Sequence, residues 1–196
     1  RWKFKHKVIA NSTPYAFDGK IYFVSDGFNL YALDRENGTE IRRKKLPLSF
    51  GRIPVFKDGA VYFWSRMQTL MGIRLKDERG LLNVTVPNPP TAPPAIDSGN
   101  LYFWDTNAML NVVLQGQNAA KRIHLDISAV RSSPLVSHGK AIYTNQMTNR
   151  ISVLDLNNEE LILELKLTSP LEDGSLRVHD GVIYFSTYDG NLNAYR

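Results

Sequence analysis

GKIYFVSDGFNLYALD, residues 19–34, consists of two short apolar segments separated by a Ser-Asp-Gly turn. Each segment is rich in β-branched and aromatic residues, which favour strands, and the residues between them favour a reversal of the chain. The stretch therefore predicts a β-hairpin. It decides the fold because the same pattern occurs again along the chain.

The pattern recurs five times with a period of about forty residues. The copies begin with GKIYF at 19, GAVYF at 59, GNLYF at 99, GKAIY at 139 and GVIYF at 181. A Pro lies shortly before each of the first four glycines, and Leu176 has that place in the last copy. A further apolar residue follows each Gly at a similar distance: Leu30, Leu70, Leu110, Ile151 and Leu192. Three landmarks that share one period indicate a repeat architecture.

Each copy predicts four short strands joined by turns. In the first copy the segments are TPYAF, KIYFVS, NLYALD and TEIRRKKL, separated by DG, DG and ENG. No helical stripe of ten or more residues is present, which disfavours a helical solenoid. Four antiparallel strands per repeat of about forty residues are typical of a propeller blade. The predicted fold is therefore all-β, a β-propeller of five four-stranded blades.

The predicted boundaries make residues 1–196 a single domain. Its parts are an outer strand at 1–10 and blades at 11–50, 51–90, 91–130, 131–172 and 173–196. The fifth copy ends after its third strand, whereas the N-terminal RWKFKHK is a spare strand. We therefore expect the N-terminal strand to pair with the last blade and close the ring, which removes exposed edges. A piece of a larger propeller is the alternative.

Composition excludes several classes of site. Without any cysteine, the chain has no disulfide, no thiolate catalysis and no zinc–thiolate centre. The four histidines show no ligand spacing, so we expect no metal ion and no other cofactor. No apolar run approaches the roughly 18 residues of a membrane span, and we expect no transmembrane segment. RWKFKHK has neither an initiating Met nor a signal pattern, which predicts a processed product or an excised domain.

The net charge is +5, and basic residues are concentrated in two segments. One is the tetrad at 42–45, RRKK, and the other is Lys3, Lys5 and Lys7. Lysines on edge strands commonly prevent edge-to-edge pairing, and this is the interpretation we favour. Nucleic-acid binding is not expected, because the aromatic residues are needed inside the blades rather than interleaved on a basic surface.

DGKIYFVSDGFNLYALDRENGTEI, residues 18–41, resembles the pyrroloquinoline-quinone-type propeller repeat. That repeat has a G-x-V-Y strand, a D-G turn, an L-Y-A-L-D strand, then T-G and a Trp. The fifth copy, DGVIYFSTYDGNLNAY, is similar, and Trp2 has the place of the closing Trp; the middle three copies keep the Gly and two strand cores. The family includes quinone-dependent alcohol dehydrogenases, outer-membrane-assembly lipoproteins and extracellular sensor domains. Because the dehydrogenases use eight blades, a cysteine pair and calcium, the resemblance implies a binding or scaffolding member here.

The loops at one end of a propeller usually carry function. Trp64 and Trp104 follow YF in neighbouring blades, in a slot where other copies carry Val24, Asn145 or Ser186. With the turn residues Arg66, Asp105 and Tyr188 they are the candidate contacts with a partner, since Trp, Tyr and Arg are enriched in binding centres. The alternative is that both Trp side chains fill the space between blades 2 and 3.

Two further constellations compete with this interpretation. A glycosidase needs carboxylates about 5 to 10 Å apart, and the acids nearest the loop end are Asp26, Asp105, Asp173 and Asp189. Asp is also favoured in Asp-Gly turns for local reasons, and the inner strands contain no acid, so we expect no catalytic residue. A basic channel mouth could contact an anion through Arg52, Arg131 and Arg177, although salt pairing with Glu172 or Asp173 explains Arg177 more simply.

The sequence thus predicts a non-catalytic propeller that binds a protein or peptide, as a scaffold or sensor. A glycan-binding, lectin-like domain or a five-bladed glycosidase is the alternative. The resemblance implies a bacterial cell envelope, periplasmic or extracellular.

Overall fold

The computed structural model describes residues 1–5, 9–47, 53–65, 67–125, 133–145, 147–172 and 175–196. Within these ranges every regular element is a β-strand. The strands form five antiparallel sheets, and in each sheet the order in space is the order along the chain. No helix long and apolar enough to cross a membrane occurs in the described ranges.

The strand bounds follow the predicted repeats. Sheet 1 consists of β1 (Tyr15–Phe17), β2 (Lys20–Val24), β3 (Asn29–Asp34) and β4 (Glu40–Lys45). Sheet 2 consists of β5 (Val55–Lys57), β6 (Ala60–Trp64), β7 (Thr69–Arg74) and β8 (Gly80–Thr85). Sheet 3 consists of β9 (Ala95–Asp97), β10 (Asn100–Trp104), β11 (Leu110–Val113) and β12 (Lys121–Ile123). Sheet 4 consists of β13 (Leu135–Ser137), β14 (Lys140–Asn145), β15 (Arg150–Asp155) and β16 (Glu160–Lys166). Sheet 5 consists of β17 (Arg177–His179), β18 (Val182–Ser186) and β19 (Leu192–Tyr195).

The chain divides into two compact units. The first unit, Arg1–Pro87 with Gly116–Ala119, holds sheets 1 and 2. The second unit, Asn88–Gln115 with Ala120–Arg196, holds sheets 3 to 5.

Adjacent sheets within each unit pack face to face, and their central strands supply the core. In the first unit Tyr22 and Val24 of β2 pack with Val61 and Phe63 of β6, all of them buried. In the second unit one cluster joins sheets 3 and 4, and another joins sheets 4 and 5. Because a central strand is covered on both faces, it is apolar at successive positions rather than at alternate ones. This is why β14 (KAIYTN), which packs with sheets 3 and 5, is buried at every position after Lys140.

The fourth sheet is shifted by one residue relative to the pattern of tyrosines. In sheet 1 the first residue of the inner strand, Tyr15, pairs with Tyr22. In sheet 4 the first residue of the inner strand, Leu135, pairs with Ile142, and Tyr143 comes one position later. Successive residues of a strand point to opposite faces, so Tyr143 faces sheet 3 and meets Trp104 edge-to-face at 5.1 Å. Thr144, and not Asn145 as predicted, therefore occupies the slot of Trp104.

The predicted N-terminal strand RWKFKHK is described at residues 1–5, whereas His6 and Lys7 lie outside the described residues. Residues 1–5 have no strand structure, and in the described residues sheet 5 contains three strands, none of them N-terminal. Trp2 and Phe4 instead pack against the aromatic cluster of Phe23 and Tyr31 on sheet 1. The Phe4 ring lies 6.1 Å from Phe23 and 6.0 Å from Tyr31, and the Trp2 indole donates a hydrogen bond to the carbonyl of Arg35 at 2.9 Å. Burial of the aromatic rings against sheet 1 explains this placement.

Candidate functional site

The two tryptophans predicted as partner contacts lie inside the protein. Trp64 is 2% exposed and Trp104 is fully buried, so neither side chain offers a surface to a partner. Trp104 packs in the core between sheets 3 and 4 with Tyr143. The alternative of a packing role thus fits the burial of Trp104, whose described partners belong to sheet 4.

Asp105 is buried in the first turn after β10. Its carboxylate pairs with Arg122 at 3.0 Å and accepts a hydrogen bond from the Asn88 side chain at 3.2 Å. The other carboxylate oxygen accepts the amides of Asn107 and Met109 at 2.9 and 3.1 Å. Burial acts to raise the pKa of Asp105, but these hydrogen bonds together hold it below the ordinary value. The group stays ionised and ties its turn to sheet 3.

The other acids at this end of the sheets do not form a catalytic pair in the described residues. Asp26 is exposed in the β2–β3 turn. Asp189 accepts a hydrogen bond from the Thr187 hydroxyl at 2.6 Å, which lowers the pKa of Asp189 and holds the β18–β19 turn. Among the inner strands one acid is present after all, because β9 ends in Asp97. Asp173 lies outside the described residues.

Tyr188 is a predicted contact that lies at the surface. Its side chain is 67% exposed in the β18–β19 turn, and its amide donates to the carbonyl of Pro170 at 3.0 Å. It lines a cavity of about 240 Å³ between sheets 4 and 5 with Thr144, Asn145 and Leu171. Arg177 is exposed on β17, and its guanidinium donates to the carbonyl of Leu176 at 2.7 Å. The remaining predicted contacts, Arg52, Arg66 and Arg131, lie outside the described residues.

A larger groove, the loop-end groove, opens between sheets 1 and 2 beside the β2–β3 and β6–β7 turns. Its volume is about 1160 Å³. Its apolar lining includes Phe28 and Leu46, which are 7% and 2% exposed, and the partly buried Met71. Met67 stands at its rim with 81% of its surface exposed. An apolar pocket with a flexible, polarisable side chain at its mouth can adapt to the shape of an entering side chain.

Polar groups line the sheet 2 wall of the loop-end groove. The hydroxyls of Thr69 and Thr85, on adjacent strands, lie 3.0 Å apart. Asn83, two residues before Thr85 on β8, is exposed. Hydroxyl and amide groups can donate to and accept from a peptide backbone. Thr69 is 9% exposed and its hydroxyl also bonds the carbonyl of Met67 at 3.3 Å, so Asn83 and Thr85, exposed on β8, are the groups of this wall that can hydrogen-bond an extended segment whose apolar side chain enters the groove.

The turns that border the loop-end groove are held by local hydrogen bonds. The Phe28 amide donates to the carbonyl of Ser25 at 2.8 Å, and the Leu46 amide donates to the carbonyl of Phe28 at 2.8 Å. On the other side the Ser65 amide donates to the carbonyl of Thr69 at 2.9 Å, and the Ser65 hydroxyl accepts the amide of Met67 at 3.3 Å. A preformed site loses little conformational entropy on binding.

Lys45 and Asp26 contribute charge to the loop-end groove. The Lys45 ammonium lies 5.5 Å from the centre of the Phe28 ring and donates a hydrogen bond to the carbonyl of Gly27. Sequence reasoning singled out Lys45 as part of the basic tetrad but missed Met67, Met71 and the groove. One feature of the sequence could have indicated the groove: Met67 is an apolar residue in a turn where polar residues are usual.

Comparisons with known proteins identify the fold. No protein-family model matches the sequence, and no curated protein matches it. The structure of BamB from Moraxella catarrhalis is similar with a TM-score of 0.69 and 15% identity, over 93% of this chain and 57% of that chain. The C-terminal WD40 domain of Sif2 is similar with a TM-score of 0.70 and 13% identity, over 98% of this chain and 56% of that chain.

These similarities confirm the all-β propeller class predicted from the repeats, because WD40 repeats build four-stranded propeller blades and the five sheets fit the predicted blade count. This chain spans less than two thirds of the length of either structure. At such low identities the likeness shows the fold alone. The resemblance to the quinone-type repeat family stays a prediction.

Proposed function

We propose that the protein is a non-catalytic binding domain that takes an extended segment of a protein partner in the loop-end groove. The observation that carries this function is the groove itself, in which Phe28 and Met71 line an apolar pocket beside the hydroxyls of Thr69 and Thr85. Pockets that combine an apolar lining with a few polar groups are usual ligand sites. Tyr188, exposed at the corresponding turn of sheet 5, is a second candidate contact.

The cellular role and the location of the protein are inferred from the resemblance of its repeat to the quinone-type family. We infer a scaffold or sensor role in the bacterial cell envelope, periplasmic or extracellular, because the binding members of the resembling family act there. The glycosidase alternative is less well supported, since Asp105 is buried in an ion pair and Asp189 is bonded within its own turn. We do not propose Trp64, Trp104 or Asp105 as contacts, because all three are buried.

A peptide selection tests the proposal. The protein is immobilised, peptides are selected from a random displayed library, and the dissociation constants of the selected peptides are measured by calorimetry. We expect Met67→Asp to weaken binding by about tenfold or more, the size of a hot-spot contact, because the substitution places a charge at the mouth of an apolar pocket.

Met147→Asp is the matched control for this experiment. Met147 is 75% exposed and Met67 is 81% exposed, but Met147 lies between β14 and β15 of sheet 4 and does not line the loop-end groove. Both variants should keep the thermal stability of the wild type, since both side chains are exposed. Selection of no peptide, or equal losses of affinity in the two variants, would contradict the proposal.

A further inference from the structure

The groove borders the most basic strand of the described chain, β4 (EIRRKK). We propose that the partner segment is acidic, and that its carboxylates lie along the end of β4 while its apolar anchor enters the loop-end groove. This inference rests on the proposed function and adds the chemical class of the partner.

The charges of β4 are only partly neutralised by the carboxylates around them. Arg42 and Lys44 both pair with Glu78 of sheet 2, at 2.8 and 3.1 Å. One carboxylate thus serves two cations and leaves an excess of positive charge. On the other face of the strand Arg43 pairs with Glu40 at 3.5 Å.

Lys45 is the cation of this strand that lines the groove. Its ammonium group contacts the carbonyl of Gly27 and the ring of Phe28, neither of which carries a full negative charge. These contacts hold the amine at the mouth of the groove, where Lys45 makes no ion pair among the described residues; Asp26, exposed in the β2–β3 turn, is an acid that also lines the groove. A carboxylate of a bound segment could therefore add an ion pair there, while Phe28 and Met71 receive the neighbouring apolar side chain.

The geometry favours an acidic peptide over a nucleic acid, which is the other common polyanion. Single-stranded nucleic acids bind through aromatic rings with a free face on which bases stack. Among the described residues that line the groove, Phe28 is the aromatic one; it is 7% exposed and lies beneath Lys45. The methionine and threonine side chains of sheet 2 suit an aliphatic anchor and a peptide backbone better than a base.

The peptides selected for the proposed function provide the test. We expect Asp and Glu to be enriched beside an apolar residue in the selected sequences. Lys45→Gln should weaken the binding of such a peptide by about fivefold at low salt, and the loss should shrink as salt is raised. Lys76→Gln is the matched control, because Lys76 is an exposed lysine of the same unit that does not line the groove.

The outcomes separate this inference from the function on which it rests. If Met67→Asp abolishes binding but the peptides show no acidic bias and Lys45→Gln binds like Lys76→Gln, the inference is wrong and the function stands. If no selected peptide is sensitive to Met67→Asp, both fail. Displacement of the peptide by single-stranded oligo-dT, with the same dependence on Lys45, would overturn the choice of a peptide in favour of a nucleic acid.

Discussion

At the scale of single residues, polar side chains hold the turns that border the loop end of the sheets. Asp105 accepts two amides of its own turn and pairs with Arg122 on the outer strand of the same sheet. The same slot is filled by Ser25 in sheet 1 and by Asn145 in sheet 4, whose side-chain oxygens also accept amides of the turn. The slot is therefore structural, and it holds the turns at this end of the sheets in place.

We expect Asp105→Ala to lower the free energy of unfolding by about 2 to 4 kcal/mol, because it removes a buried carboxylate and leaves Arg122 and two amides without their acceptor. Chemical denaturation monitored by circular dichroism measures the change. Asp26→Ala, at an exposed turn position of sheet 1, is the control and should change stability much less. Equal losses in the two variants would contradict a structural role for Asp105.

The same carboxylate predicts a pH dependence. Its pKa in the folded protein is lower than the ordinary value of about 3.9, so the carboxylate stabilises the fold above that value and loses this contribution as the pH falls through the folded pKa. The stability of wild type should therefore decrease more steeply than that of Asp105→Asn below about pH 4. Parallel curves for the two proteins would show that Asp105 titrates alike in the folded and unfolded chain.

Single residues were also where sequence reasoning had least power. The slot after YF was identified from the repeats, but its exposure was not, because a Trp serves equally well as a core residue and as a binding residue. The shift in sheet 4 is visible in the sequence, since Tyr143 comes four residues after Gly139 whereas Tyr22 comes three after Gly19. Its consequence for the pairing was missed because Ile142 and Tyr143 are both acceptable in a strand covered on two faces, and Ile142 is the residue that pairs with Leu135.

At the scale of elements, the N-terminal segment, residues 1–5, packs against sheet 1 through Trp2 and Phe4. Trp2 fits against Gly38 in the β3–β4 turn, where a Cβ would overlap the indole ring. Its indole hydrogen bond to the carbonyl of Arg35 fixes the ring in that position. The alternation of RWKFKHK predicted a strand, and the pattern alone could not distinguish pairing at a sheet edge from packing on a sheet face.

Gly38→Ala should displace Trp2 from its position against the β3–β4 turn. The backbone of Gly38 is left-handed, with φ of 75°, as is that of Gly19, with φ of 68°, but an added Cβ at Gly19 meets no atom within 4 Å. Gly19→Ala therefore measures the backbone strain alone, about 1 to 2 kcal/mol. We expect Gly38→Ala to lose about 1 to 3 kcal/mol more, as overpacked sites do, and to shift tryptophan emission to the red as Trp2 becomes exposed.

Trp64 and Trp104 are buried, so a change of emission that accompanies a retained fold reports on Trp2. Identical stability losses in the two glycine variants with unchanged emission would contradict the contact between Trp2 and Gly38.

At the scale of the whole molecule, the repeat determined what could be predicted. The glycines and turn residues of each copy mark local strand boundaries, so five sheets of three or four strands could be placed from the sequence. The loop-end groove could not, because Lys45 and Met67 come from different sheets and meet only through the packing of one sheet on the next. A repeat pattern specifies each sheet but not the side chains that adjacent sheets bring together.

The most direct test of the proposed function uses the four methionines of the chain as probes. Met67 and Met71 line the loop-end groove, whereas Met109, before β11, and Met147, between β14 and β15, are not among its lining residues. The protein is labelled with ¹³C at the methionine methyl groups, and its spectrum is recorded as a selected peptide is added. We predict that the signals of Met67 and Met71 shift in proportion to occupancy while those of Met109 and Met147 do not. A peptide that binds and leaves Met67 and Met71 unshifted would contradict the assignment of the groove as the binding site.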